Sequence, residues 1–197
     1  MKLKLLFLLM LGALIAGCGK TENSNEPTAA ELKMAQETGS KYAAALMSGL
    51  KDTLQTAIRE KGIAGAVDVC NVQAMPLTRQ AESEGVSIKR TTNKYRNPEN
   101  APDETEKAAL AYFETQLKES GSLPENYVQK VSENGAQFLY FYKPMQMAAV
   151  CLSCHGDPAT MDENLLATLD QHYPNDMARG YSEGDFRGAI RVKIPLK

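Results

Sequence analysis

The sequence has no excess of basic residues: 22 lysines and arginines stand against 24 acids, for a net charge of −2. That balance leaves no electrostatic footprint for nucleic acid. There is no internal repeat, which removes solenoid and array architectures. Histidine is scarce at two residues, and cysteine numbers four. Imidazole and thiol chemistry is therefore confined to His155, His172, Cys18, Cys70, Cys151 and Cys154. No apolar run is long enough to span a bilayer comfortably. What is present suits one globular domain with a real core: 197 residues, 43% of them hydrophobic.

The longest apolar run, Leu5 to Ile15, follows Lys2 and Lys4 and has the length of a signal h-region. It ends in Leu14-Ile15-Ala16-Gly17-Cys18, which resembles the lipobox of bacterial lipoproteins. Residues 1–17 are expected to be cleaved as a lipoprotein signal, with Cys18 lipidated and residues 18–28 a flexible polar tether. Two or more acyl chains anchor stably where one gives marginal binding. Gly19 supplies no aspartate-type inner-membrane retention signal, which favours the outer membrane. The expected place is extracytoplasmic, on the periplasmic side. The competing reading is an ordinary secretory signal with Cys18 present by chance.

From Ala29 the apolar residues recur at three and four. Leu32, Ala35, Gly39, Tyr42, Ala43, Leu46, Leu50, Leu54 and Ile58 predict a long amphipathic helix over about Thr28 to Glu60. Gly62 and Gly65 interrupt it. A second helix is expected over Gly65 to Glu84, kinked or restarted at Pro76 and capped by Gly85. Val86 to Arg90 reads as a short strand and Thr91 to Pro102 as a loop. Asp103 and Glu106 form a capping-box pattern ahead of a helix to Ser120, which Gly121 ends. Tyr127 to Ser132 and Ala136 to Lys143 flank Asn134-Gly135, a hairpin signal. Phe138, Tyr140 and Tyr142 alternate with Leu139 and Phe141, so both sheet faces are expected to be covered. Met145 to Val150 is a candidate third strand. Asp162 to His172 reads as a helix, and Ile190, Val192 and Ile194 mark a half-buried last strand. The order predicts an α+β domain over residues 29–197 with an antiparallel sheet. It does not suit a small all-helical cytochrome.

The chemistry centres on Cys151-Leu152-Ser153-Cys154-His155. Two cysteines three apart with a histidine after the second form the attachment pattern of a c-type haem. Each thiol can add to one porphyrin vinyl, and the adjoining imidazole can take an axial position. Two other readings use the same residues: a Cys3His zinc site completed by Cys70, and a redox disulfide. With Cys18 lipidated, Cys70 is the one cysteine left over, and it is either buried and inert, paired, or a metal ligand. Its neighbours Val67 and Ala74 place it on an apolar helix face. Other distal candidates are His172 and the methionines, including Met75, Met145, Met147, Met161 and Met177. Arg90, Lys94 and Arg96 form a basic cluster. Arg90 and Arg96 are candidate partners for haem propionates, since arginine binds carboxylates through two parallel bonds. Gly184 to Gly188 reads as a turn into the last strand, braced by Asp185 and Arg187.

Several stretches together resemble a family of PAS-like, exported c-type haem domains long catalogued as a domain of unknown function. They are Val69-Cys70 with Ala74-Met75-Pro76, Arg90-Thr91-Thr92 with Lys94 to Asn100, Cys151 to Pro158, Tyr173-Pro174-Asn175-Asp176, Gly180-Tyr181, and Gly184 to Ala189. The resemblance implies a PAS-like antiparallel sheet wrapped by helices. It also implies one covalent haem c on Cys151 and Cys154, His155 as proximal ligand and Cys70 as distal ligand. Met75 departs from the small residue common at that place. The functional expectation is a lipid-anchored monohaem protein in extracytoplasmic electron transfer, with a separate redox partner protein. The alternative is a redox or gas sensor for NO or CO working with a separate signalling protein. No distal acid–base pair can be named, so catalysis at the haem is not favoured.

Overall fold

Thr28 opens the first helix by reciprocal capping: its Oγ1 accepts from the Glu31 N–H at 3.2 Å, and its own N–H donates to Glu31 Oε2 at 2.7 Å. The structure is a computed structural model that describes residues 26–83 and 85–196. The expected signal segment, Cys18 and most of the tether lie outside the described residues. Helix α1 runs Ala29–Gln80, with one non-helical residue inside it, Gly62 at φ 72° and ψ 178°. A continuous helix would hold Gly49 and Leu77 about 42 Å apart. Yet a Cβ at Gly49 would lie 3.9 Å from Leu77 Cδ2. The helix is thus folded at Gly62 into two arms, 29–61 and 63–80, that lie side by side.

Gly65 stays helical, so Gly62 alone makes the corner. The break expected at Pro76 is absent. Proline removes the donor for the Val72 carbonyl, and Val72 is exposed, so solvent can take that place. Gly85 is not the helix cap either. The helix closes at Ala81, whose N–H reaches Leu77 O at 3.2 Å, and Gly85 (φ 79°) serves the turn bridged by Ser83 and Val86.

The remaining elements are β1 (Ser87–Thr91), α2 (Glu104–Ser120), β2 (Tyr127–Glu133), β3 (Ala136–Gln146), α3 (Leu152–His155), α4 (Glu163–His172) and β4 (Phe186–Pro195). The four strands form one sheet in the order β1-β4-β3-β2, and every pairing is antiparallel. Asn134 (φ 51°) and Gly135 (φ 82°) make the tight β2–β3 turn. This is the α+β architecture with a long N-terminal helix that the sequence pattern predicts.

Both sheet faces are covered. Leu139, Phe141, Ile190, Val192 and Ile194 pack with Ala35, Tyr42, Ala43 and Leu46 of the first arm. Tyr140, Tyr142 and Ala189 pack with Ala109, Leu110 and Phe113 of α2 on the other side. The first arm comes so close that a Cβ at Gly39 would sit 2.1 Å from Phe141 Cγ. On the α2 face, the fully buried Glu106 pairs with Lys89 of β1 at 2.7 Å and Arg191 of β4 at 3.0 Å. It thereby ties the start of α2 to two strands.

The third strand expected over Met145 to Val150 does not form. Met145 and Gln146 finish β3, with a register shift between them, and Gln146 is opposite Phe186, the first residue of β4. Beyond it the ladder has no partner. The chain turns instead into a 3-10 turn over Ala149–Cys151 and then α3.

Candidate cofactor site

Helix α3 is one turn long, and it ends at Gly156, whose N–H donates to Leu152 O at 2.8 Å. That turn places His155 against the segment 178–181. The ring Nδ1 lies 2.7 Å from Ala178 O. The Tyr181 N–H donates to His155 O at 3.0 Å, and the Gly180 N–H to Gly156 O at 2.7 Å. Tyr181 meets the imidazole edge to face, 6.4 Å between centroids at 86°. Burial, then the positive charges of Arg96 and Arg187, push the His155 pKa down to about 3. The ring is therefore neutral at pH 7. With Nδ1–H donated to a carbonyl, Nε2 carries the free lone pair, the tautomer that suits metal ligation.

The two motif thiols belong to different apolar clusters. Cys151 packs with Met147, Ala178 and Tyr181. Cys154 packs with Val67 of the second arm of α1 and with Leu165 and Leu169 of α4. Cys70 sits one helical turn beyond Val67, so the same packing brings its arm to the motif. Burial raises the thiol pKa of both Cys70 and Cys154, against the pull of nearby arginines, and the charge of Cys70 raises that of Cys154 further. Cys70, Cys151 and Cys154 are all free thiols. The sequence-predicted residues Cys70, Cys151, Cys154 and His155 thus converge. Among the described residues no group of three or more His, Cys, Asp or Glu is arranged to hold a metal ion, so the Cys3His zinc reading gains no support.

The other distal candidates have partners. His172 Nε2 lies 2.6 Å from Asp68 Oδ1 and Nδ1 lies 3.3 Å from Asn71 Nδ2, so it clips α4 to the arm on either side of Cys70. Met147 is buried under Ala178 and Tyr181, and Met161 joins the Cys154 cluster. Met145 packs on the first-arm side of the sheet, Met75 Sδ lies 3.7 Å from Arg90 Nη2, and Met177 is exposed.

The basic residues divide into two kinds. Arg96 is committed: its Nε donates to Asp176 Oδ2 at 3.1 Å, and its Nη2 donates to Cys154 O at 2.5 Å and Ala178 O at 3.4 Å. Asp176 also receives Arg179 Nε at 2.9 Å and the Ala178 N–H at 2.9 Å. Burial opposes its ionisation, but these hydrogen bonds from Arg179 and Arg96 hold the carboxyl below its usual range. Arg90 has no such partner, and its Nε is sealed from solvent without a hydrogen bond. Arg187 was expected to brace a turn with Asp185. Instead Asp185 Oδ2 accepts from the Ser182 N–H, while Arg187 Nη1 donates to Thr92 Oγ1 and Lys94 O, both at 3.0 Å. Its guanidinium lies 5.4 Å from the Tyr181 ring centre, on the His155 side of the fold. Sequence reasoning missed it; the signal was its place on the β4 alternation, opposite the Arg90 strand.

A cleft of about 490 Å³ borders the motif at Ser153, between Gly62–Ala64 and Thr160–Met161. A wider one of about 730 Å³ lies between the arms of α1, lined by Thr56, Ala57, Asp68 and Val72, and touches none of the motif residues.

The family model described as Tll0287-like matches residues 21–195. Among solved structures, the crystal structure of the cyanobacterial heme-protein Tll0287 is similar, with 25% identity and a TM-score of 0.58. The match covers 86% of this chain and 98% of that one. No curated protein matches this chain.

Proposed function

This chain belongs to the Tll0287-like family, and from that premise we propose that it binds one haem c and serves extracytoplasmic electron transfer. Cys151 and Cys154 carry the thioether bonds, His155 is the proximal ligand and Cys70 the distal one. The observation that carries the reading is the imidazole of His155. It is neutral, fixed through Nδ1 to Ala178 O, and directly follows the free thiol of Cys154, which packs on the arm that holds Cys70. The similar cyanobacterial protein is, by its description, a heme protein.

The side chains also fit the charge of the group. Haem brings carboxylates, and the neighbourhood holds a guanidinium nitrogen, Arg90 Nε, sealed from water with nothing to bind. Arg90 is therefore a propionate partner. Arg96, the other sequence candidate, spends Nε and Nη2 on Asp176 and two carbonyls and has only Nη1 to offer.

When bound, haem supplies a one-electron ferric–ferrous couple. The chain does the rest. Asp176 and Arg96 hold the 176–178 segment, and that segment fixes the His155 tautomer. The arm presents Cys70, whose thiolate favours ferric iron and a low potential. Attachment at Cys18 would tether the domain to a membrane on the periplasmic side, the outer one by the residue that follows, and a separate redox protein would exchange the electron. Support for that placement is the N-terminal sequence alone.

The second reading is redox or gas sensing with a signalling partner. One feature favours it: Cys70 rides on an arm joined to the first arm at a single corner, Gly62, and clipped to α4 by the solvent-facing His172–Asp68 pair. Protein exported with haem-maturation machinery should be red and keep its haem through acid–acetone extraction. A colourless protein with stoichiometric zinc would end the haem reading. A redox titration followed by visible spectra, with and without CO, separates the two roles. Spectra that ignore CO fit electron transfer, and ready CO binding on reduction fits sensing.

A further inference from the structure

Among the described residues, two guanidinium groups withdrawn from the surface meet no carboxylate. Among the described residues, the arginines in ion pairs are Arg96, Arg179 and Arg191. Arg59 and Arg79 are exposed and can be left to solvent, but Arg90 and Arg187 are half-buried, and Arg90 Nε is sealed from solvent. Arg90 offers Nη2 to a thioether sulfur at 3.7 Å, and its Nε has no partner at all. Arg187 gives Nη1 to a hydroxyl and a carbonyl, which satisfy a donor but neutralise no charge. Withdrawing an arginine from water without a counter-charge is costly. Doing so twice in one place adds mutual repulsion. Burial and the charge of Arg187 both lower the pKa of Arg90, and burial lowers that of Arg187.

The backbone keeps the two together. Arg90 lies on β1 and Arg187 at the start of β4, in neighbouring strands whose ladder ends at Thr91 and Ala189. Thr92 locks the junction: its Oγ1 donates to Arg187 O at 2.7 Å while receiving Arg187 Nη1. Gly188 (φ 138°) allows the close approach, since a Cβ there would lie 2.4 Å from Thr91 O. The pair also spans the two candidate axial ligands. Arg90 interacts electrostatically with Cys70, and Arg187 with His155.

We propose that Arg90 and Arg187 form one seat for a carboxylate, filled by a haem propionate, and that Arg96 instead braces the loop that positions His155. The inference rests on the haem reading above and adds a residue, Arg187, that the sequence marked only as the brace of a turn. Two planar forks with unspent donors suit a carboxylate better than a point cation would. Their combined charge keeps that carboxylate ionised well below its ordinary titration range.

The test is the midpoint potential of the haem-loaded protein as a function of pH, for the wild type, Arg90→Gln, Arg187→Gln and Arg187→Lys. The wild type should be nearly flat between about pH 5 and 8, because a seated propionate does not titrate there. Either Gln variant should have a lower potential at pH 7, since a positive charge that favours ferrous iron is gone. Each should also acquire a pH-dependent slope in that window, as the released propionate begins to titrate. Arg187→Lys keeps the charge and should fall between. Wild-type potentials at every pH in both Gln variants would overturn the proposal. Should the Gln variants not accumulate, infrared redox-difference spectra of the wild type decide: a protonated propionate band appearing between about pH 5 and 7 overturns it. Added succinate should leave the wild-type potential unchanged. A saturable shift would assign the seat to a free carboxylate instead and overturn the propionate assignment. A wild type without haem sinks the parent reading, and it is seen before any variant is made.

Discussion

Asp176 governs His155 without touching it. Its Oδ1 accepts from the Ala178 N–H, its Oδ2 takes Arg96 and Arg179, and the Ala178 carbonyl then receives the imidazole N–H. Its side chain is 1% exposed, and removing it leaves the half-buried Arg96 without its carboxylate, while Arg179 keeps only Asp170. Asp176→Ala should cost about 3 kcal/mol in urea unfolding. Because the folded pKa lies below the ordinary aspartate value, the stabilisation is complete above about pH 4 and is lost as the pH falls through the lowered value. Acid unfolding of Asp176→Asn should lack that dependence. Cys70→Ala should remove thiolate features from the ferric spectrum and raise the midpoint potential. An unchanged spectrum and potential would make Cys70 a packing residue. The motif itself was legible because its chemistry is contiguous. Cysteine counting picked out Cys70, but its expected distal-ligand role came from a family resemblance, since nothing local distinguishes a ligand thiol from a small buried hydrophobe. Arg187 was misread because its partners, Thr92 and Lys94, are far off in sequence and close only once β1 and β4 pair.

At the scale of elements, the hairpin of α1 depends on two glycines for different reasons. Gly39 supplies space: with Phe141 Cγ 2.1 Å from where a Cβ would be, Gly39→Ala must push the first arm off the sheet. That should cost about 2 kcal/mol, measurable by thermal or urea unfolding. Gly62 supplies a backbone conformation, and a Cβ there would meet nothing within 4 Å. Gly62→Ala should therefore cost only backbone strain, about 3 kcal/mol, because φ 72° with ψ 178° is a conformation that glycine alone adopts readily. The capping box at Asp103, the Asn134-Gly135 turn and the β4 alternation were readable in advance, since each shows as a local pattern of a few residues. The continuation through Pro76, the closure at Ala81 rather than Gly85, and the end of β3 at Gln146 were not. Solvent access, the ladder's length and the partner strand's first residue decide those.

For the whole molecule, two proposals concern placement. Cys18→Ser should release the protein from membranes into the soluble periplasmic fraction, and inhibiting lipoprotein signal cleavage should leave an uncut precursor. A protein that fractionates as before in both cases would count against lipidation. Loss of the haem should also loosen the fold, because its proposed ligands come from the second arm of α1 and from α3. The apoprotein should melt lower than the loaded form and become more open to proteolysis near Gly62.

The strand order has a consequence in time. β4 pairs with both β1 and β3, so the sheet cannot join its halves until the chain past Phe186 is made. Before that, α1, β1, α2, the β2–β3 hairpin, α3 and α4 lack the strand that joins β1 to β3, and the sheet's apolar residues stay incompletely covered. A shorter chain cannot complete its core, so the native sheet waits on the last strand and the apolar surface made before it is exposed to association in the meantime.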